Sequence, residues 1–275
     1  MSSRRHFIKN LAALSTLSAA LPLAARAQTK SSSTSKARNY VLAHGSWHGG
    51  WCWQAVAAIL REQGHHVFTP SYTGMGDRAH LINKNITIDT FIEDLIQVIN
   101  TEELEDVILV GHSFGGIPIT GVADRIPEKI GHLVYFDSIV LESGKSAFSN
   151  YPKADADARI AAASKATNGL AVPVPNPLPD AWGIKANTPE YDWVERRLTP
   201  HPLASYTTAL ELNNPIGNHR PKTYISCTEP ELAVLADSKA LVKSQKDWGW
   251  VDLAAPHEAH ITHPKELSQI LLDLA

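Results

Sequence analysis

Leu109-Val110-Gly111-His112-Ser113-Phe114-Gly115-Gly116 joins two unlike segments of the chain. Before its first glycine, Val107-Ile108-Leu109-Val110 is an apolar run too short for a helix, and it predicts a buried strand. Phe114 to Ala123 predicts a helix, despite its glycines and Pro118 near the start. The Gly-x-Ser-x-Gly between them forces a sharp strand-to-helix turn that presents the Ser113 hydroxyl at the top of a sheet. Gly111 and Gly115 are small because neighbouring backbone must pass close to that turn. Ser113 is therefore the candidate nucleophile. A base, an acid and two donors for a developing oxyanion have to come from elsewhere.

Outward from that turn, the chain alternates. Asn39 to Ala43 predicts the first strand, Cys52 to Gln63 a helix stopped by Gly64, and His66 to Thr69 the next strand. Thr87 reads as the cap of a helix whose Ile88, Phe91, Ile92, Leu95, Ile96 and Ile99 share one face. His132 to Phe136 is another strand and ends at Asp137. Near-continuous apolar strands alternating with helices predict an α/β fold, a mostly parallel sheet covered on both faces. Reactive groups of such sheets gather at the strand C-terminal ends, where Ser113, Asp137 and the His44-Gly45 loop fall.

From about 139 to 215 the alternation stops. Val172-Pro173-Val174-Pro175-Asn176-Pro177-Leu178-Pro179 suits neither helix nor central strand, because each proline lacks a donor. Short helices are expected at Ala154 to Lys165 and Glu190 to Arg197. An insertion this long, carrying Trp182, Tyr191 and Trp193, reads as a helical cap over the site. The sheet resumes at Lys222 to Cys227, followed by a helix over Ala233 to Ser244 and a strand at Gly249 to Leu253. The His257 loop and a terminal helix from Pro264 complete the chain.

The N-terminus reads differently. Arg4-Arg5, an apolar run from Leu11 to Ala25 and the small-x-small Ala25-Arg26-Ala27 look like a twin-arginine export signal over residues 1–27. Residues 28–38 read as a flexible linker and 39–275 as the folded domain. Pro22 and Arg26 interrupt any membrane-spanning run, so no stable anchor is expected. The expected location is periplasmic or secreted, with the export machinery as a partner. Removing residues 1–27 leaves 248 residues and takes the net charge from −3 to −7, a poor match for nucleic acid. Cys52 and Cys227 are read as separate buried thiols. No Cys/His spacing indicates a metal, and His257-Glu258-Ala259-His260 lacks the His-Glu-x-x-His spacing.

His257, in a loop between a late strand and the final helix, is the candidate base. Nucleophile, acid, histidine is the chain order of hydrolases built on a serine turn. Such a base takes the serine proton and returns it to the leaving group, while a carboxylate fixes its tautomer. The amides of Phe114, after the nucleophile, and Ser46, in the first loop, are the candidate oxyanion donors.

His44-Gly45-Ser46-Trp47-His48-Gly49-Gly50-Trp51-Cys52-Trp53 resembles the His-Gly-x-x-His-Gly-x-Trp signature of the plant methylesterases and hydroxynitrile lyases, α/β-hydrolases with bacterial carboxylesterase and pyrethroid-hydrolase relatives. Tyr135-Phe136-Asp137, the segment ending Leu198-Thr199-Pro200-His201-Pro202-Leu203, and Tyr224 to Glu229 resemble the bacterial branch. The resemblance implies an α/β-hydrolase fold with a helical cap, carboxylic ester hydrolysis and no cofactor. Gly45, Trp47, His112 and Trp182 are the candidate substrate contacts, for an ester with an apolar group.

Two positions depart from the family. Where the plant enzymes carry an aspartate after the seventh strand, this chain has Pro230. Glu229, one residue earlier and 28 residues before His257, is the expected acid; Asp137, after the sixth strand, is the alternative. Pro256-His257-Glu258 replaces the usual Gly-His-Asp. A carbon–carbon lyase of the hydroxynitrile type is a second reading. It meets Gly45 where those lyases carry threonine and Glu258 where they carry the lysine that stabilises cyanide. A third reading is a small-ligand receptor of the same fold, which sustained turnover would exclude.

Overall fold

Apolar residues alternate along the first strand, β1 (Asn39–Ala43), between two separate cores. Tyr40 and Leu42 enter one cluster of buried side chains, and Val41 and Ala43 the other. This is the period-two signature of a strand covered on both faces. The same division runs through β3 (Val107–His112), where Ile108 and Val110 point to one side and Val107 and Leu109 to the other. The computed structural model describes residues 36–275; the expected leader, 1–27, and most of the expected linker, 28–38, lie outside them.

With β2 (His66–Phe68), β4 (Ile130–Phe136), β5 (Lys222–Cys227) and β6 (Gly249–Leu253), these strands form a six-stranded sheet in the order β6-β5-β4-β3-β1-β2. Every pairing is parallel, as the buried apolar strands require. Ala43 pairs with Gly111 and His112 with Phe136, so β1, β3 and β4 end at one level. The loop after β1, Ser113 and Asp137 therefore meet at one edge of the sheet.

Helix α1 (Gln54–Glu62) and the terminal helix (Pro264–Asp273) pack on one face, and α2 (Ile88–Thr101) and α3 (Gly116–Arg125) on the other. In α2 the six apolar residues expected on one face are all buried. Each contributes about 1.5–3 kcal/mol relative to exposure. The helix starts at Thr87, whose N–H donates to Thr90 Oγ1 at 3.2 Å. The expected helix after the serine divides into a tight turn, Ser113–Gly115, and α3. Pro118 stands in the first turn of α3, where a missing N–H costs no helical bond. The helix expected at Ala233 to Ser244 also divides, into a turn at Ala233–Leu235 and a helix at Ala236–Lys243.

Between Phe136 and Lys222 the chain leaves the sheet. It forms helices at Lys153–Thr167, Pro189–Glu195 and Leu203–Thr207, and two short antiparallel ladders. In the first of these helices only Ala156 and Ala163 are buried. No described helix is long and apolar enough to cross a membrane. Cys52 and Cys227 are both free and buried.

His44 shows what its motif does for the fold. Its Nδ1–H donates to the Gly45 carbonyl at 2.8 Å, and its Nε2 accepts the Tyr72 N–H at 3.2 Å. Both ring nitrogens are spent in the neutral form, and burial pushes the imidazole down from 6.5 to about 3. Burial also holds His112, His201 and His260 well below the ordinary histidine value. The unfolded chain takes up protons at these histidines below about 6.5 and the folded chain does not, so stability present at neutral pH is lost as pH falls. His44 alone accounts for a loss of about 2 kcal/mol at pH 5. Urea midpoints measured at pH 7.5 and pH 5 should fall accordingly; equal midpoints would refute this account.

Candidate active site

Ser113 adopts a left-handed backbone, φ 54°, at the point where β3 turns into the next helix. Such a conformation is strained for a residue with a Cβ, and the glycines around it make it possible. A Cβ on Gly111 would lie 2.5 Å from the Gly115 carbonyl oxygen, and one on Gly115 would lie 2.9 Å from those of Ala43 and His44. Only glycine allows the three backbones to approach so closely. The Ile139 N–H, just after β4, donates to the Ser113 carbonyl at 2.9 Å and ties the turn down from the other side.

The carboxylate that the structure places on His257 is Asp137, not Glu229. His257 Nδ1 lies 2.6 Å from Asp137 Oδ2, both side chains being buried. The other oxygen, Oδ1, accepts the Cys227 N–H at 3.2 Å and stands 3.4 Å from Lys239 Nζ. Glu229 is exposed, and its side chain makes no hydrogen bond or ion pair among the described residues. The difference lies in burial. Asp137 directly follows β4 and is held inside by the Cys227 N–H and Lys239, whereas the Glu229 side chain, after β5, is exposed. The Thr228 and Glu229 amides then bond to the Leu253 and Ala255 carbonyls, and the Glu229 side chain is left exposed.

Ser113 and His257 line one cavity of about 580 Å³, together with Gly45, Ser46, Trp47, His48 and Trp182. Ser46 stands in the turn after β1, its amide bonded to no acceptor among the described residues, and Phe114 follows the nucleophile in a buried turn. The Ser46 hydroxyl is bonded to Tyr206 of the insertion between β4 and β5, a partner that carries no sequence signal. Trp47 and Trp182 stand with ring centroids 5.9 Å apart and give the cavity an aromatic wall. Arg159 adds a cation, 5.4 Å from the Trp47 ring and 4.9 Å from that of Tyr151.

His112, expected as a substrate contact, borders the cavity but is fully buried. Its Nε2–H donates to the His257 carbonyl at 3.0 Å, so it braces the histidine loop. Lys239, missed in the sequence, bonds the Cys227 carbonyl at 3.1 Å as well as facing Asp137. His112, Glu258 and His260 bring ligand-type atoms within 4.8 Å of one another.

The alpha/beta hydrolase family is matched over residues 40–270. A carbendazim hydrolyzing esterase of Nocardioides sp. (strain SG-4G) is 41% identical over 244 residues, 86% of this chain and 99% of that protein. Methylesterase 9 of Arabidopsis thaliana is 36% identical over 104 residues, 38% of this chain and 41% of its own. Among solved structures, an extracellular alpha/beta-hydrolase from a Paenibacillus species superposes with TM-score 0.75 at 24% identity, covering 86% of this chain and 98% of that one. The pyrethroid hydrolase PytH superposes with TM-score 0.70 at 19% identity, over 86% and 97%. These two superpositions speak to the fold.

Proposed function

The chain belongs to the alpha/beta hydrolase family, and we propose that it is an exported serine hydrolase that cleaves carboxylic esters through an acyl-enzyme. The ester hydrolase activity is supported by the 41% identity to an esterase over nearly that protein's whole length. The observation that most favours the serine mechanism is the buried contact of His257 Nδ1 with Asp137 Oδ2, beside the cavity that Ser113 lines.

With Nδ1–H donating to Asp137, the lone pair of His257 is on Nε2, the nitrogen left to take the Ser113 proton. Ser113 Oγ then bonds to the ester carbonyl carbon, and the carbonyl π pair moves onto oxygen. The Ser46 and Phe114 N–H groups receive that oxyanion. Its collapse expels the alkoxide, which takes the proton from Nε2 and leaves as the alcohol. Water, deprotonated by the same nitrogen, repeats the sequence on the acyl-enzyme and releases the acid. Asp137 stays ionised and holds the imidazolium that forms at each stage. An apolar acyl or alcohol group fits the aromatic wall of Trp47 and Trp182.

Export is supported by the Arg4-Arg5 leader alone. One experiment tests both parts of the reading. The full chain is expressed in a bacterium with a twin-arginine pathway, and the periplasmic fraction is assayed on p-nitrophenyl esters of increasing acyl length. Sustained turnover by a protein that begins near Gln28 is expected. No turnover of any ester would refute the hydrolase reading, and retention of the intact precursor in the cytoplasm would refute export.

A further inference from the structure

The helix Lys153–Thr167 brings to the cavity a cation for which the reaction above has no use. Arg159, partly buried, is the only lysine or arginine that lines the cavity among the described residues. On the same helix Lys153 and Asp157, four residues apart, pair at 2.6 Å. Asp155 and Arg159 have that spacing in the orientation that favours pairing more, and both line the cavity. Even so, Arg159 makes no ion pair and no hydrogen bond among the described residues. Its guanidinium carbon lies instead 5.4 Å from the Trp47 ring and 4.9 Å from that of Tyr151, the distances of a cation held over aromatic faces. Burial raises the Tyr151 hydroxyl above its ordinary value, and the Arg159 charge works against that rise. Trp47 is a fixed platform. It is 5% exposed, its indole N–H donates to the Val172 carbonyl at 3.3 Å, and its carbonyl accepts the Thr199 N–H at 2.9 Å.

Aromatic contact occupies the faces of a guanidinium and leaves the N–H groups at its edge unspent. A substrate that fills the cavity displaces the water serving those donors, and a donor left without an acceptor then opposes binding. The substrate that suits this cavity therefore brings an acceptor of its own. Its charge is constrained as well. Asp155, one helical turn from Arg159, and Asp237 line the same cavity, and two carboxylates there repel a second anionic group. A neutral oxygen or nitrogen meets no such repulsion. We propose that Arg159 forms an acceptor subsite: the ester cleaved here carries, besides its scissile group and an apolar body, a neutral hydrogen-bond acceptor such as an amide carbonyl or a ring nitrogen. The guanidinium binds that acceptor while the Trp47 and Trp182 wall holds the apolar body. The inference rests on the ester hydrolase reading and narrows its substrate class.

The test uses the full chain and two series of matched esters. In one, p-nitrophenyl esters of the dimethyl monoamides of succinic, glutaric and adipic acid are set beside p-nitrophenyl alkanoates of equal chain length. In the other, acetates of hydroxyalkanoic dimethylamides are set beside plain alkyl acetates and followed by pH-stat. For at least one spacing the parent should prefer the amide ester by about 10- to 100-fold in kcat/KM, the usual worth of a hydrogen bond to a charged donor. Arg159→Met keeps an unbranched apolar stem and removes the donors. The preference should then collapse to within about threefold of one, whatever the variant does to the hydrocarbon ester. A guanidinium that only pins its helix to Trp47 would change stability, or all esters alike, and leave that ratio where it was. Should Arg159→Met fail to fold, Arg159→Lys reads the same contact, because an ammonium lacks the planar fork: the preference should fall at least about threefold, and an unchanged preference overturns the subsite. No preference in the parent at any spacing, or one that survives Arg159→Met, would also overturn it. So would faster turnover of the p-nitrophenyl half-acids, which carry a carboxylate in place of the amide. A parent that turns over no ester in either series overturns the hydrolase reading and the subsite together. Turnover without the preference overturns the subsite alone.

Discussion

Ser113→Ala is expected to leave a folded protein whose esterase turnover is at least about 10³-fold below that of the parent. The fold should survive for two reasons. Alanine meets the same strain as serine at φ 54°, because both carry a Cβ. The Ser113 hydroxyl also makes no hydrogen bond among the described residues, so its removal leaves no buried partner unsatisfied. The loss is instead chemical, because no other group in the cavity can form the acyl-enzyme at that point. What remains is water attack assisted by His257 and the two amide donors. A fluorophosphonate probe gives an independent reading: it should label the parent at Ser113 and leave the variant unlabelled. Ser46 lines the same cavity, and labelling there would end the assignment of the nucleophile.

Much of this arrangement was legible because local patterns carry it. The serine turn is announced by two glycines whose Cβ atoms would collide with backbone, and α2 by six apolar residues at helical spacing. The helix expected at Ala154 to Lys165 forms at Lys153–Thr167, although it buries only Ala156 and Ala163 and so lacks an apolar stripe. Glu229, the expected acid, makes no contact with His257, for a different reason. It and Asp137 both follow apolar strands, and nothing local says which side chain is buried against the histidine. That comes from contacts between residues far apart in the chain. Lys239 and Tyr206 were invisible for the same reason: their roles come from contacts with Asp137 and Ser46, far away in the chain. His48 and Glu258 belong to two motifs that read as separate until the fold brings them together.

Asp137→Asn is expected to lower turnover by about 10⁴-fold, the cost seen when an amide replaces the acid of a serine–histidine pair. The surroundings of Asp137 determine which way the new amide must face. Oδ1 accepts the Cys227 N–H and lies beside the Lys239 ammonium, two donors that only an oxygen can satisfy. The asparagine oxygen is therefore held on that side, and its NH₂ group takes the place of Oδ2 against His257. An NH₂ facing Nδ1 requires a lone pair there, which moves the ring proton to Nε2, the nitrogen that should take the Ser113 proton. The base is then present but blocked. The variant also leaves Lys239 without its buried partner, since Glu231 at 3.8 Å is an exposed substitute. Some loss of stability is expected, and turnover has to be measured below the variant's own unfolding midpoint. Glu229→Gln provides the contrast: its exposed side chain makes no contact with His257, so turnover within about threefold of the parent is expected. A folded Asp137→Asn with near-normal activity, beside a Glu229→Gln that has lost it, would return the role to Glu229 and refute the geometry described above.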